Sequence, residues 1–465
     1  MLAQLITQKQ WNIANRAVRD VWASDSLRGR FARGAVWSLA GSVMGQGANL
    51  IASMVTARIL GREEFGKYGI LQSTVGMLGV FAGLGLGLTA TKYVAEYRTR
   101  DPKRAGAIIA LGSASATVSG LLLTGALMIF APTLAAKGLN SPQLTTELRI
   151  ASIVLFLNAL NGAQTGVLAG FESFRAIARI NTAKGLLALP ITVVAVLLWK
   201  LPGALLALAF LSAQACVLSE ISIRRHCARL GIQVKASEAW KEARILWSFS
   251  APALLAGALV GPITWIGNTM LVRQTGGYGE MGIFSAANQW RAAVAFLPSL
   301  LSQPLLAMLS HAGTADSSSF RKLLRANLIL AVGLSASVAL PIGIFASWIM
   351  RAYGAQFFQG KPVLIVLAVT TVFSSLAAVI GQAIASLDRM WSGFFLNAIW
   401  AVAFLLLAAI LTPRYRALGL AGAYLGSYIA HTAAELLYLR ISISGTLDQK
   451  EQPSHRQQGP DELPR

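Results

Sequence analysis

Apolar runs of about twenty residues recur along almost the whole chain, and that feature decides what it can fold into. A hydrocarbon core roughly 30 Å thick takes about 20 apolar residues to cross as a helix, and only helices or closed barrels satisfy their own backbone there. Alternating strand patterns of the barrel kind are missing from the sequence. Runs bounded by charges predict twelve spans: 35–55, 68–88, 107–130, 150–170, 182–199, 202–223, 245–272, 282–309, 324–349, 363–385, 391–411 and 418–439. The fold expected is therefore all-α and polytopic, twelve transmembrane helices in two six-helix lobes related by a pseudo-two-fold axis. Its parts are an N-terminal arm (1–33), an N-lobe (34–225), a basic linker (226–244), a C-lobe (245–440) and a disordered tail (441–465).

Composition agrees: 55% of the 465 residues are hydrophobic and 13% are charged, against about 25% charged in a soluble domain. A net charge of +21 would suggest nucleic acid in a soluble protein. Here the Lys and Arg gather on one side of the predicted topology by more than two to one. That asymmetry puts both termini in the cytoplasm, explains the charge without nucleic acid and favours anionic lipid head groups. The first 33 residues lack the apolar stretch of a signal peptide. They read as an arm ending in Arg28, Arg30 and Arg33, with a weak apolar stripe of Leu2, Leu5, Ile6 and Ile13. Cys216 and Cys227 form no disulfide framework or zinc pattern.

The chain repeats itself. Phe65-Gly66-Lys67-Tyr68-Gly69-Ile70 recurs as Tyr278-Gly279-Glu280-Met281-Gly282-Ile283. Ala169-Gly170-Phe171-Glu172 with Asn181 recurs as Ala385-Ser386-Leu387-Asp388 with Asn397. Equivalent positions in equivalent spans point to six-plus-six duplication, both halves having the same orientation.

Polar residues inside spans mark candidate function, because polarity there is costly. Span 1 carries Ser38, Ser42, Gln46, Asn49, Ser53 and Thr56 on one narrow stripe, and span 4 adds Asn158, Asn161 and Gln164. Helix-to-helix hydrogen bonding and a hydrated cavity both explain such stripes. Span 8 places Ser285, Asn288, Arg291, Ser299, Ser302 and Gln303 opposite Ala286, Trp290, Val294, Leu297 and Leu301. Arg291 falls near mid-depth, where a cation faces water, an anion or a pairing partner. None of the 19 acids falls mid-span. Glu220 and Glu435 are expected to close ion pairs with Arg224 and Arg440 near the inner boundary. An embedded base without an embedded acid points to an anionic cargo such as phosphate.

Gly79, Gly83 and Gly87 read as a close-packing stripe rather than a hinge. Pro252, Pro262, Pro298 and Pro304 should bend spans 7 and 8. His431 is either a packed neutral ring or a proton relay. No nucleotide-binding, metal-binding or nucleophile motif is present, so no cofactor, metal or catalysis is expected. The outer loop 131–149 is too short for the catalytic domain of a polymerase or ligase.

The stretch Ala57-Arg58-Ile59-Leu60-Gly61-Arg62-Glu63-Glu64-Phe65-Gly66-Lys67-Tyr68-Gly69 resembles the ARxLGxxxFGxYG signature of bacterial polysaccharide flippases. Thr91-Lys92-Tyr93-Val94-Ala95-Glu96-Tyr97-Arg98 and Gly282-Ile283-Phe284-Ser285-Ala286-Ala287 continue it. These are the O-antigen and exopolysaccharide flippases of the multidrug/oligosaccharidyl-lipid/polysaccharide exporter superfamily. The resemblance implies a protein of the bacterial inner membrane that carries an undecaprenyl-pyrophosphate-linked oligosaccharide between leaflets by alternating access. A polysaccharide polymerase is a possible partner under that reading. Family members use cationic residues in a central cavity, and Arg291 matches such a position. Leu78, its equivalent in span 2, is apolar, which departs from a symmetric cationic cage.

The candidate site is thus Arg291 for the pyrophosphate, Lys92 and Lys184 for entry, and Ser285, Asn288, Gln46, Asn49, Asn158 and Asn161 for sugar hydroxyls. The alternative is a cation-coupled multidrug exporter of the same superfamily, which requires a carboxylate in the cavity; only Glu220 and Glu435 are candidates.

Overall fold

A computed structural model describes residues 27–245, 250, 254, 258–299, 317–386 and 390–450. The stripe of the N-terminal arm, Pro252, Ser302, Gln303, Pro304, Asp388 and the tail beyond 450 lie outside the described residues. So do the side chains of Arg28, Arg30, Arg33, Ser38, Ser42, Leu297 and Ser299.

All regular elements among the described residues are helical. They are α1 (Leu27–Gly83), α2 (Leu86–Tyr97), α3 (Pro102–Thr133), α4 (Thr145–Gly170), α5 (Phe174–Leu230), α6 (Val260–Val272), α7 (Gly277–Ser299), α8 (Ser317–Ile344), α9 (Ala346–Tyr353), α10 (Lys361–Ser386) and α11 (Met390–Lys450), with short turns between. Among the described residues six stretches are long and apolar enough to cross a membrane, and a seventh is a pair bent by 41° at residues 83–86. The protein is a polytopic, all-helical membrane protein.

Three elements exceed any bilayer. At 1.5 Å per residue the 57-residue α5 would be about 85 Å long if straight. It is instead a hairpin, broken at Lys200 (φ 51°, ψ −127°), where two predicted spans are separated by only two residues. A Cβ on Gly203 would overlap the Ala195 carbonyl oxygen. Residues eight apart in an unbroken helix sit about 12 Å apart, so the chain has doubled back. The 61-residue α11 does the same at Arg416 (φ 51°, ψ −125°), with Gly419 against the Leu411 carbonyl. Phe404 stacks edge-on to Tyr424 at 4.6 Å and Trp400 lies 5.7 Å from Tyr428, joining its two legs. Positive-φ Gly61 likewise has a counterpart in Gly276, and Asn140 in Gly354. Each pair is separated by about 215 residues, so the repeat seen in short motifs is also written in the backbone turns.

The residues group into two compact units: one runs to Ala286 and includes Ala352–Phe357, the other holds Ala287–Arg351 and the chain from Phe358. In the first, the signature stretch of α1 packs on the start of α7. A Cβ on Gly66 would overlap the Tyr278 carbonyl, one on Gly282 the Arg62 carbonyl, and one on Gly69 the Ser285 hydroxyl. The two halves of the recurring motif therefore cross backbone to backbone, and only glycine permits that approach. Arg62 secures the crossing, its Nε donating to Gly279 O at 2.8 Å and its Nη2 bonding Glu280 Oε1 at 2.5 Å. Arg58 Nε donates to Ala352 O at 2.6 Å, and Phe65, Tyr353 and Phe357 form a buried aromatic triad.

Two expectations change. The Gly79–Gly83–Gly87 stripe does pack closely at Gly87, against Gly166, but the helix also breaks beside it. Leu84 and Gly85 take φ of 45° and 67°, left-handed values that no helix continues through. The second change is at the chain's end: α11 continues through Lys450, so residues 441–450 are helical rather than part of a disordered tail.

Enlarging Gly282 to Leu should cost at least about 1–3 kcal/mol by overpacking, because it faces backbone that cannot move aside. Gly125→Leu, at a position with no neighbouring atoms within 4 Å, should be neutral. Thermal unfolding in detergent by intrinsic fluorescence compares them. Equal midpoints for both variants would contradict the crossing.

Candidate functional site

The first unit encloses a cavity of about 240 Å³ between α1, α4 and the two legs of α5. Its polar lining is Gln72, Asn158, Lys184 and Ser212, set among Val75, Ala151, Val154, Leu205 and Leu208. Lys184 is the sole ionisable residue lining it. Small-molecule pockets run from roughly 300 to 1,000 Å³, so this space matches a fragment of a ligand, such as one sugar ring or a phosphate. Ser212 Oγ donates to Asn158 Oδ1 at 3.2 Å, which fixes the amide and turns its NH2 donors to the remaining space. Farther along α4, Thr165 Oγ1 donates to Asn161 Oδ1 at 3.4 Å. Asn161 Nδ2 and Gln164 Oε1 are buried without a partner among the described residues. Such groups bind water or ligand where either can reach them.

The second unit holds Arg291 on α7. Its Nε donates to Asn288 Oδ1 at 2.7 Å, one turn back on the same face, and its guanidinium carbon lies 5.3 Å from the Tyr424 ring centre on α11. Among the described residues no carboxylate comes within ion-pair distance of it. A hydrogen bond to a charged group is worth about 1.5–3 kcal/mol and a cation–π contact about 0.5–2. These neutral contacts hold the charge in place without cancelling it.

The other sequence candidates lie elsewhere. Ser285 falls in the first unit, its buried hydroxyl against Gly69 and without a hydrogen-bond partner among the described residues. Gln46 is half-buried and Asn49 exposed. The adjoining face of α1, through Gly45, Ala48 and Ala52, takes the contact with Asn181, Gly185 and Ala188 of α5, and neither Gln46 nor Asn49 lines the cavity. Lys92 is exposed midway along α2, its Nζ 5.0 Å over the Tyr93 ring. The sequence reading missed Gln72 and Ser212, whose polarity inside apolar spans was the available signal.

The acids divide in two. Glu220 pairs with Arg224 at 2.7 Å as its spacing predicts, and Glu172 pairs with Arg98 at 2.7 Å. Glu435 requires correction. It does not close a boundary ion pair with Arg440: it is only 4% exposed, and its Oε1 lies 3.4 Å from His431 Nε2. The i,i+5 spacing to Arg440 carries that residue off the face Glu435 occupies, whereas His431 at i−4 shares it. Glu435 also stands eleven residues beyond Tyr424 on α11, about 16 Å along the helix, so it does not offset Arg291.

Comparison with known proteins places this architecture. The "EPS I polysaccharide export inner membrane protein EpsE" of Ralstonia nicotianae is 25% identical over 388 residues, covering 81% of this chain and 86% of that protein. Among solved structures, an inward-facing multidrug resistance MATE family transporter of the MOP superfamily superposes with a TM-score of 0.73 at 16% identity, over 90% of this chain and 99% of the other. The lipid II flippase MurJ in an inward closed conformation gives 0.69 at 12% identity, over 89% and 90%. At those identities the structures speak for the fold. The family described as "Polysaccharide biosynthesis protein" matches residues 31–310, more than half of the chain, and the protein belongs to that family.

Proposed function

We propose that this protein is a flippase of the bacterial inner membrane. It moves undecaprenyl-pyrophosphate-linked oligosaccharide repeat units from the inner to the outer leaflet for O-antigen or exopolysaccharide synthesis. The reading takes twelve spans in two six-helix lobes that alternate access, with both termini in the cytoplasm. Family membership supports the polysaccharide assignment, and the MATE and MurJ likenesses support the transporter architecture. Recurrence of the backbone turns about 215 residues apart supports the two-lobe reading.

The observation that carries the substrate assignment is Arg291, held among the described residues by Asn288 and the Tyr424 ring. A guanidinium with unused donors in a low-dielectric setting recognises a pyrophosphate, which two parallel N–H groups grip bidentately. Asn288 orients the guanidinium by occupying Nε and leaving the terminal nitrogens for the anion. In the first unit, Lys184 contributes a point charge and Asn158, Gln72 and Ser212 contribute donors and acceptors for hydroxyls. Lys92 on α2 adds an entry charge, and Gln46, Asn49, Asn161 and Ser285 extend the polar stripes. A polymerase acting on the delivered repeat unit is the partner this role implies. The cation-coupled multidrug exporter gains a buried acid in Glu435. The described cavity lacks an acid, however, and its charge is positive, which disfavours cationic cargo.

Complementation of a flippase-deficient host tests the assignment. Arg291→Ala, at normal membrane abundance, should abolish surface polysaccharide, and Arg291→Lys should keep a fraction of it because charge survives while the bidentate fork is lost. Full output from the alanine variant would refute the role.

Lys184→Ala should reduce output by about tenfold with normal folding, and Lys184→Arg should restore most of it, since the cavity is asked for charge rather than geometry. Wild-type output from Lys184→Ala would remove the cavity from the transport path.

A further inference from the structure

α11 buries an acid and an imidazole one turn apart, and the function proposed above uses neither. Glu435 is 4% and His431 6% exposed, with Oε1 3.4 Å from Nε2. Glu435 Oε2 and both ring nitrogens of His431 have no hydrogen-bond partner among the described residues. Opposite them on α10 stands Gly381, where a Cβ would come 3.7 Å from Oε1. The acid thus packs at van der Waals distance from the glycine.

Among the described residues the surroundings are nearly free of charge. The sole charged residue on α10 is Lys361, at the far end, about 30 Å away. The first leg of α11 carries no ionisable residue before Arg414. On the second leg, Tyr428 lies with its ring centre 6.4 Å from that of His431, and Tyr438, bonded to Ser392 at 2.7 Å, and Arg440 follow toward its end. From α8, Arg321, Lys322 and Arg325 flank Phe320 and Leu324, which pack in one cluster with Leu439. Arg291 reaches this helix only at Tyr424.

An ionised carboxylate here, without a compensating charge, costs several kcal/mol. A metal cation is a poor remedy, because hard cations seek six or more oxygen ligands. The pair offers one carboxyl group and an imidazole, and the neighbouring Thr432 hydroxyl already donates to Phe373 O at 3.3 Å. The ligand that fits is a proton.

We propose that Glu435 and His431 form a proton-binding site, loaded and unloaded once per transport cycle. Empty, the site holds a carboxylate and a neutral imidazole. One proton taken from water binds the pair and cancels its net charge. A closed bundle favours the loaded form, and a conformation that admits water releases the proton. The cycle rests on the transport reading; the site itself does not.

Infrared difference spectra of the purified full chain between acid and alkaline pH test the site without any substrate. The wild type should show a carboxylic C=O band that Glu435→Gln removes and Glu435→Asp retains. His431→Gln should move its midpoint by about one pH unit or more. A Glu435→Gln spectrum identical to wild type overturns the site. Everted vesicles test the cycle: an imposed pH gradient should change sequestration of a pyrophosphate-linked lipid oligosaccharide severalfold in wild type and leave Glu435→Gln unchanged. Equal gradient sensitivity in the two overturns the coupling. Failure of wild-type vesicles to sequester the lipid at all counts against the flippase reading, while the infrared result still judges the site.

Discussion

A guanidinium that meets, among the described residues, an amide oxygen and an aromatic face but no carboxylate is the constraint on which the functional account depends. The hydrocarbon region tolerates a helix because its backbone is satisfied internally. Every charge placed there then needs its own explanation. Arg291 is held rather than neutralised, by an amide oxygen and an aromatic face. Lys184 lines a small polar cavity, and Glu435 is set against His431. Both cationic positions suit an anionic lipid carrier, and within the second unit the acid stands about 16 Å along α11 from the ring that Arg291 meets.

The scaffold around these groups is built by reuse. Single residues at Lys200 and Arg416 reverse the chain with nearly the same dihedral angles, and Gly203 and Gly419 then accept the returning backbone. The recurring glycine motifs are a packing device in which each copy supplies the surface the other needs, around Gly66 and Gly282. That explains why the signature of α1 is rich in glycine and arginine. Glycine permits the approach, and Arg58 and Arg62 satisfy carbonyls and an acid that the approach leaves exposed to one another.

Much of this was legible in the sequence, and the rest failed for identifiable reasons. Span length and charge boundaries report the helical membrane class directly, since hydrophobic thickness fixes them. The pairing of Asn288 with Arg291 follows from i,i+3 spacing on one face, and that of Glu220 with Arg224 from i,i+4. The break at Leu84 was hidden because glycine spacing marks close packing and bending equally well. The burial of Glu435 was hidden because proximity to a predicted boundary suggested an exposed ion pair, whereas its surroundings, with Gly381 of another helix against it, come from packing that local spacing does not report. Membership of Ala352–Phe357 in the first unit depends on Arg58 reaching Ala352 across almost 300 positions, and local periodicity holds no trace of such a contact.

The most direct test of the central claim is equilibrium binding of undecaprenyl pyrophosphate to the purified protein in neutral-lipid nanodiscs, compared between wild type and Arg291→Ala. Removing one partner of a desolvated charge pair costs about 2–5 kcal/mol, so the account predicts that the variant binds at least tenfold more weakly, with undecaprenol lacking the pyrophosphate bound equally by both. Equal affinity of the two proteins for the pyrophosphate lipid would contradict it.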